Sequence, residues 1–365
     1  MAKPRISDDL GLESESEVHV FLLWSEALDK AGDILADIDA RFTVREILRV
    51  EWSREHFARN LTRFYGQTLL EGSEKELHCG VGPFLVVVVE DRLPAYASRR
   101  TNRGKLPVNT RMYDAKARYR RWTGGGHRVH ATVNRREADK DLFLLLGRRA
   151  AFYETASDPQ WNGTILEARR DLIGASGWKS RSELLTALEA AIGYVALGEL
   201  SLLDGKYADE TPTLLVDNLW WAARIANGRG PRDEDQQVLV AETEQRLVLC
   251  EVGDGSLDPA WQHTLLSQST RASDGMVVPG AVDRFYLTLL GVASDARKLS
   301  ASESDLLDRL SRQHSLVRGD YGDREFAAAA VENYLTRLRE QDAVRDRTQP
   351  SALTRLIRRL SLRDS

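Results

Sequence analysis

Apolar positions in the first third of the chain switch between β-rich blocks and helical spacing. "VHVFLLW" (18–24) is a short apolar run with β-branched and aromatic character, and Leu28, Ala31, Ile34, Leu35 and Ile38 follow at helical intervals. A strand and then a helix are predicted, with Ser25 as cap and neighbouring acids suiting the helix's positive end. Val44, Ile47 and Val50 alternate with charged residues as in a half-buried strand. Ser53 then caps a predicted helix whose apolar face is Phe57, Leu61 and Phe64 and which stops at Gly66. "GPFLVVVVED" (82–91) is nearly continuous β-branched sequence, the pattern of a strand buried on both faces at the sheet centre. "NRREADKDLFLLLG" (134–147) reads as a capped helix, or as a helix running into a strand.

After a linker-like "SDPQWNG" (157–163), helical periodicity resumes at Thr164 and continues through "LEARRDLIGASGWKSRSELLTALEAA". "GYVALGEL", "TPTLLVD" and "QRLVLCEVG" are strand-like, and from about Ser302 the pattern is helical to the end. The expected organisation is a flexible lead-in at 1–17, a first domain at 18–156, a small α+β domain at 164–300 and a helical tail at 301–365. A chain of 365 residues suits two domains.

Composition narrows the function classes. Fifty-one Lys and Arg against 55 Asp and Glu give a net charge of -4, so the chain as a whole is not a polyanion binder and no nucleic-acid partner is expected. Basic surface must be local, and residues 92–128 hold eleven bases against the single acid Asp114. Cys79 and Cys250 are the only cysteines, which fits a reducing compartment. No secretory h-region and no run of about 20 apolar residues occurs, so the cytoplasm is the expected location. In the tail, Leu353, Leu356, Ile357 and Leu360 share a helical face and Arg355, Arg358, Arg359 and Arg363 lie elsewhere. Residues 352–363 therefore suit peripheral contact with the anionic inner face of the membrane, or docking on the protein's own surface.

The candidate chemistry closes the basic segment. "RRWTGGGHRVHATVN" (120–134) joins arginines, which hold phosphoryl oxygens, to glycines whose N–H groups line anion sites. It sets His127 and His130 three residues apart. A neutral imidazole is a competent nucleophile toward phosphorus, and guanidinium groups neutralise a transferring phosphoryl group. The alternative is a structural turn with a buried, hydrogen-bonded histidine. His-x-x-His supplies only two ligands, so no metal site is expected. Walker, GxGxxG, GxSxG and HExxH motifs are all absent.

The succession "ILADIDARF", "TVREILRVEWS", "LTRFYG", "CGVGPFLVVVVED" and "GGHRVHATVNRREADKDLFLLLG" resembles nucleoside diphosphate kinase across the whole first domain. That resemblance implies a ferredoxin-like antiparallel sheet and a homo-oligomer. It puts His130 at the phosphohistidine position, His127 at the motif's asparagine, and Tyr65 near the nucleotide. Arg118 or Arg120 would stand near the phosphate-holding arginine. With Arg99, Arg100, Gly125, Gly126 and Arg128 these residues make up the candidate phosphate- and nucleotide-binding set. Trp24 stands near the family's first-strand lysine, and "ATVN" replaces the family's "GSDS".

The second part resembles a nucleotidyltransferase-like domain of bacterial surface-polysaccharide-locus proteins. "TPTLLVD" places Thr211 and Thr213 where metal-binding acids would stand, and "LVLCEV" offers Glu251 at or beside the third. Threonine cannot replace carboxylate charge at a two-metal site, so the module is expected to be degenerate. Together the resemblances imply a transferase that handles an NTP or sugar nucleotide, with Mg2+ as a candidate companion ion. Phosphoryl transfer through His130 would serve bacterial envelope polysaccharide biosynthesis. Glycosyl transfer from a sugar nucleotide and a non-catalytic nucleotide-binding scaffold are the alternatives.

Overall fold

A computed structural model describes residues 16–101, 104–155, 161–197, 213–272, 275–294 and 298–348. The protein is mixed α/β and divides into two units. The first runs through Ala191 and includes Arg224–Asn227 and Leu239–Glu242; the remainder forms the second.

The first unit contains β1 (Glu17–Leu23), α1 (Ala31–Asp39), β2 (Thr43–Glu51), α2 (Phe57–Tyr65), α3 (Glu74–Cys79), β3 (Phe84–Asp91), β4 (Tyr96–Thr101), β5 (Gly104–Asn109), α4 (Thr110–Trp122), β6 (Val129–Ala131), α5 (Arg135–Leu146), α6 (Ala150–Glu154), β7 (Ile165–Arg169) and α7 (Arg181–Ala191). Its sheet has the order β6-β1-β3-β2-β7, antiparallel except for the parallel β2–β7 pair. Phe21 and Leu23 of β1 join Ile34, Ile38, Met112 and Tyr119 in a core under α1 and α4. Alternation turns Val20 and Leu22 to the other face, where α5 packs on β1. With both faces covered, β1 and β3 have no solvent side, which explains the apolar runs at 20–23 and 84–89 within them.

Several local expectations change. Ser25 does not cap a helix: Trp24 is the N-cap of a 3-10 turn at Ser25–Lys30 that leads into α1. Ser53 heads the turn before α2, accepting from the His56 N–H at 3.3 Å. Residues from Thr164 do not start a helix, because Ile165–Arg169 extends the first sheet as β7 beside β2. Gly174 and Gly177, with φ of 75° and 108°, then break the chain before α7. The first unit thus continues well past residue 156. Asn134 caps α5 by accepting from the Glu137 N–H at 2.8 Å, and Gly147 (φ 71°) closes it.

Residues 92–128 form a two-stranded ribbon, β4–β5, followed by α4. A buried polar cluster fixes the ribbon's root. Tyr96 Oη donates to Glu17 at 2.9 Å, His19 Nε2 lies 3.1 Å from Glu17, and Asn109 Nδ2 donates to Asp91 at 2.9 Å.

The second unit has β8 (Tyr194–Leu197), β9 (Thr213–Val216), α8 (Leu219–Ala226), β10 (Arg229–Arg232), β11 (Asp235–Val240), β12 (Thr243–Glu251), α9 (Pro259–Ser267), β13 (Thr270–Arg271), β14 (Val277–Val278), α10 (Ala281–Ala293), α11 (Ala301–Gln313) and α12 (Arg324–Thr348). Its main sheet runs β10-β11-β12-β9-β8, with β9 and β12 parallel. Trp261, Phe285, Tyr286, Leu289, Leu307, Tyr321 and Tyr334 share one core, so α11 and α12 each pack a face into the domain's interior. Buried Asp283 accepts from Trp261 Nε1 and Tyr334 Oη, both at 2.8 Å. Residues 352–363 lie outside the described residues. Among the described residues no helix is long and apolar enough to cross a membrane.

Phe21 is fully buried, with ring centroids 5.7 Å from Phe42 and 5.6 Å from Tyr119. Phe21→Ala should lower unfolding free energy by about 3–5 kcal/mol, read from urea titration. An unchanged midpoint would contradict this packing.

Candidate functional site

Among the described residues β6 is an edge strand paired only with β1, with His130 opposite Leu22. Val129 and Ala131 point into the α1/α4 core, so alternation sends the His130 side chain to the other face. There its ring meets Phe64 and Tyr65 edge-on, with centroids 5.1 and 5.7 Å away. The outward carbonyls of the strand are taken by two cations one turn apart on α4: Arg120 Nε donates to Val129 O at 2.8 Å, and Lys116 Nζ to Ala131 O at 3.1 Å.

His130 Nε2 lies 2.8 Å from Asp141 Oδ2, and the side chain retains 9% exposure. Asp141 is wholly buried and also pairs with Lys140, whose ammonium donates to Phe64 O at 2.9 Å. Burial is the strongest influence on the Asp141 carboxyl and pushes its pKa up; Lys140 and His130 together outweigh it and hold the pKa below the ordinary value. A carboxylate can only accept, so Nε2 carries the proton and a neutral His130 presents its lone pair at Nδ1. Nδ1 has no hydrogen-bond partner among the described residues and is not sealed from solvent.

The glycine turn lies beside this histidine. Gly124, Gly125 and Gly126 have φ of 84°, 90° and 68°, a region costly for other residues. A Cβ on Gly126 would come within 2.9 Å of the His78 ring. Arg128 closes the turn by donating to Thr123 O at 2.6 Å, and Gly125 N–H is spent on Arg120 O at 2.6 Å. The N–H groups of Gly126 and His127 have no partner among the described residues. Burial, then Lys75, Arg120 and His78, pushes His127 from an ordinary value near 6.5 down to about 4. Lys75 sits 3.9 Å from the centroid of the Tyr65 ring, and Trp24 Nε1 donates to Tyr65 Oη at 2.9 Å. Cys79 donates to His127 O across 3.9 Å, and burial raises its thiol to about 12, which leaves it protonated and unreactive.

Of the residues singled out in the sequence, His127, His130, Tyr65, Arg120, Gly125, Gly126 and Arg128 meet around this turn. Arg118 is turned to Asp37 at 3.2 Å, beside Tyr119 Oη on the same carboxylate. Arg99 and Arg100 lie on the ribbon, at the opposite end of α4 from the turn. Tyr113, near the start of that helix, donates to Arg100 O at 2.9 Å, so about 14 Å of helical rise stands between Arg100 and the turn.

Asp141, Lys140 and Lys75 escaped the sequence reading, while Lys116 counted only as one base of the 92–128 segment. One signal was present: Ala138, Asp141 and Leu145 share a face at i, i+3 and i+7, which puts an acid on the apolar side of α5.

No protein family, curated protein or solved structure matches this chain.

His130, Glu137 and Asp141 offer three donor atoms within 4.8 Å of one another. Lys140 already supplies positive charge to Asp141, and Glu137 accepts the Val133 N–H at 2.9 Å. In the second unit Thr211 lies outside the described residues. Thr213 opens β9, while Glu251 ends β12 beside Val216, about 10 Å further along the strand pair. Glu251 accepts the Leu219 N–H at 3.2 Å, and Asp217 accepts the Gly193 N–H at 3.0 Å.

The depressed His127 pKa has a stability consequence. Between pH 6.5 and about 4 the unfolded chain binds a proton here that the folded chain refuses, so stability rises with pH across this window. His127→Gln should flatten that part of the stability profile in urea titrations at stepped pH. In the wild type, the His127 imidazole resonance should titrate near 4.

Proposed function

We propose that the protein is a phosphotransferase that carries a phosphoryl group on His130, drawing it from an NTP or related phosphate donor. The observation that carries this reading is the histidine itself, fixed through Nε2 by a buried carboxylate and left with a free, solvent-reachable Nδ1. The order β6-β1-β3-β2, with helices in the connections, agrees with the ferredoxin-like arrangement of nucleoside diphosphate kinase. The "ATVN" after His130 does not conflict with it: Thr132 bonds His19 at 3.0 Å and Asn134 caps α5, so these residues serve the scaffold.

In the proposed step the Nδ1 lone pair attacks the terminal phosphorus. The N–P bond forms as the bond to the bridging oxygen breaks, and the nucleoside diphosphate leaves with that electron pair. Positive charge arriving on the ring is met by Asp141 through Nε2–H. Arg120, Lys116 and Lys75 supply charge near the phosphoryl group, in place of the lysine absent at Trp24. The neutral His127 can accept a hydrogen bond from a ligand hydroxyl. Mg2+ would travel on the donor phosphates as in other phosphoryl transfers. The second unit is proposed as a degenerate nucleotidyltransferase-like module, and a role in envelope polysaccharide synthesis rests on that resemblance alone.

Incubation with γ-labelled NTPs should yield acid-labile, alkali-stable label on the wild type and none on His130→Ala. Asp141→Asn, which frees the imidazole tautomer, should slow labelling by about 10²-fold or more. Labelling that survives His130→Ala, or its absence with every NTP tried, defeats the proposal.

A further inference from the structure

The β4–β5 ribbon is the most concentrated basic feature that the His130 site leaves unused. Between residues 92 and 113 there are six bases and no acid; Arg92 pairs with Glu90 and Arg111 with Asp91, Arg103 lies outside the described residues, and Arg99, Arg100 and Lys105 stand on the ribbon strands. The register sets Arg100 directly opposite Lys105 and Arg99 opposite Leu106. Like charges facing each other across a strand pair repel, and none of these three cations has an acidic partner among the described residues. An anion that bridges them turns this repulsion into attraction.

The ribbon is nevertheless held in place. Tyr113 Oη donates to Arg100 O at 2.9 Å, Thr101 Oγ1 to Gly104 O at 2.9 Å, and Tyr96 anchors the root on Glu17. Both strands are largely exposed, apart from Val108 and Asn109 at the root.

We propose that this ribbon is a second anion-recognition surface, separate from the His130 turn, and that its partner is a nucleic-acid duplex gripped through the phosphate backbone. Three observations favour that occupant. A two-stranded ribbon fits a major groove about 12 Å wide. The face carrying Arg100 and Lys105 also carries Ser98 and Pro107, so it offers a hydroxyl donor and no broad apolar surface for insertion into a bilayer. Arg100 and Lys105 are both open to solvent, which suits an extended polyanion better than a small enclosed phosphate. A net charge of -4 argues against a whole-surface polyanion binder, and the ribbon confines the contact to one projecting element.

Fluorescence anisotropy of a short labelled duplex, titrated with full-length protein at several salt concentrations, tests this. Wild type should bind with an affinity that falls steeply as salt rises. R100E/K105E should weaken binding by about tenfold or more and flatten the plot of log K against log salt by about 1.8, the loss of two phosphate contacts. R100A/K105A should move the same way, which covers the case in which charge reversal disturbs folding; circular dichroism checks both variants. No residue of the His130 turn belongs to the ribbon, so failure of the phosphotransferase reading leaves this result intact. No duplex binding at low salt, binding indifferent to both double variants, or ribbon-dependent binding to anionic vesicles alone would each overturn the proposal.

Discussion

The carboxylate of Asp141 is the group around which the first unit is organised. A fully buried ion costs several kcal/mol in lost hydration unless charge and hydrogen bonds replace the water. Lys140 and His130 provide that replacement from neighbouring positions in space. Because Lys140 also donates to the end of α2 at Phe64 O, the same charges bind α5, α2 and the edge strand β6 together. His130 is thereby oriented by a structural necessity. Removing either partner would leave a buried charge uncompensated, so the fold and the chemistry of the histidine depend on one ion cluster.

Tyr65 extends this logic toward the opening of the site. Its hydroxyl is held by Trp24, which packs among Trp52, Phe64 and Phe84. The last position of the β1 segment thus ends in an aromatic pillar, where the kinase-like pattern has a cation. Positive charge comes instead from outside the sheet, from Lys116 and Arg120 on α4 and Lys75 on α3. Burial, and after it the charges of Lys75 and Arg120, keeps His127 neutral, and burial with Arg120 lowers Lys116. Such a cluster gains most from an anion.

The sequence revealed what local pattern controls. The runs of β1 and β3, the apolar face of α2 and the Asn134-to-Gly147 frame of α5 were all legible, because periodicity and caps act over a few residues. β7 was not, since "ILEAR" takes its conformation from the free edge of β2 rather than from its own spacing. The α4 helix was hidden by its charge, although Met112, Ala115 and Tyr119 lie on one buried face. At the site, His130, His127 and Tyr65 could be aligned by motif order. The Lys140–Asp141–His130 contact could not, because an ion pair between a helix and a strand leaves no spacing rule. Arg99, Arg100, Arg118 and Arg120 looked like one phosphate set because they are close in sequence. The helix between them assigns them to three different surroundings.

That separation sets the size of any ligand. Unit charges interact weakly in water beyond a Debye length, about 8 Å at physiological ionic strength. The glycine turn follows the last residue of α4, and the ribbon meets that helix through Tyr113, nine residues or about 14 Å of helical rise away, so direct attraction between an anion at one and the arginines at the other is largely screened. Lys116 stands between them, its Nζ 5.7 Å from the centroid of the Tyr113 ring. A ligand that reaches from the turn past Lys116 would couple the two groups. On the proposed readings a small phosphate would sit at the turn and a polymer on the ribbon.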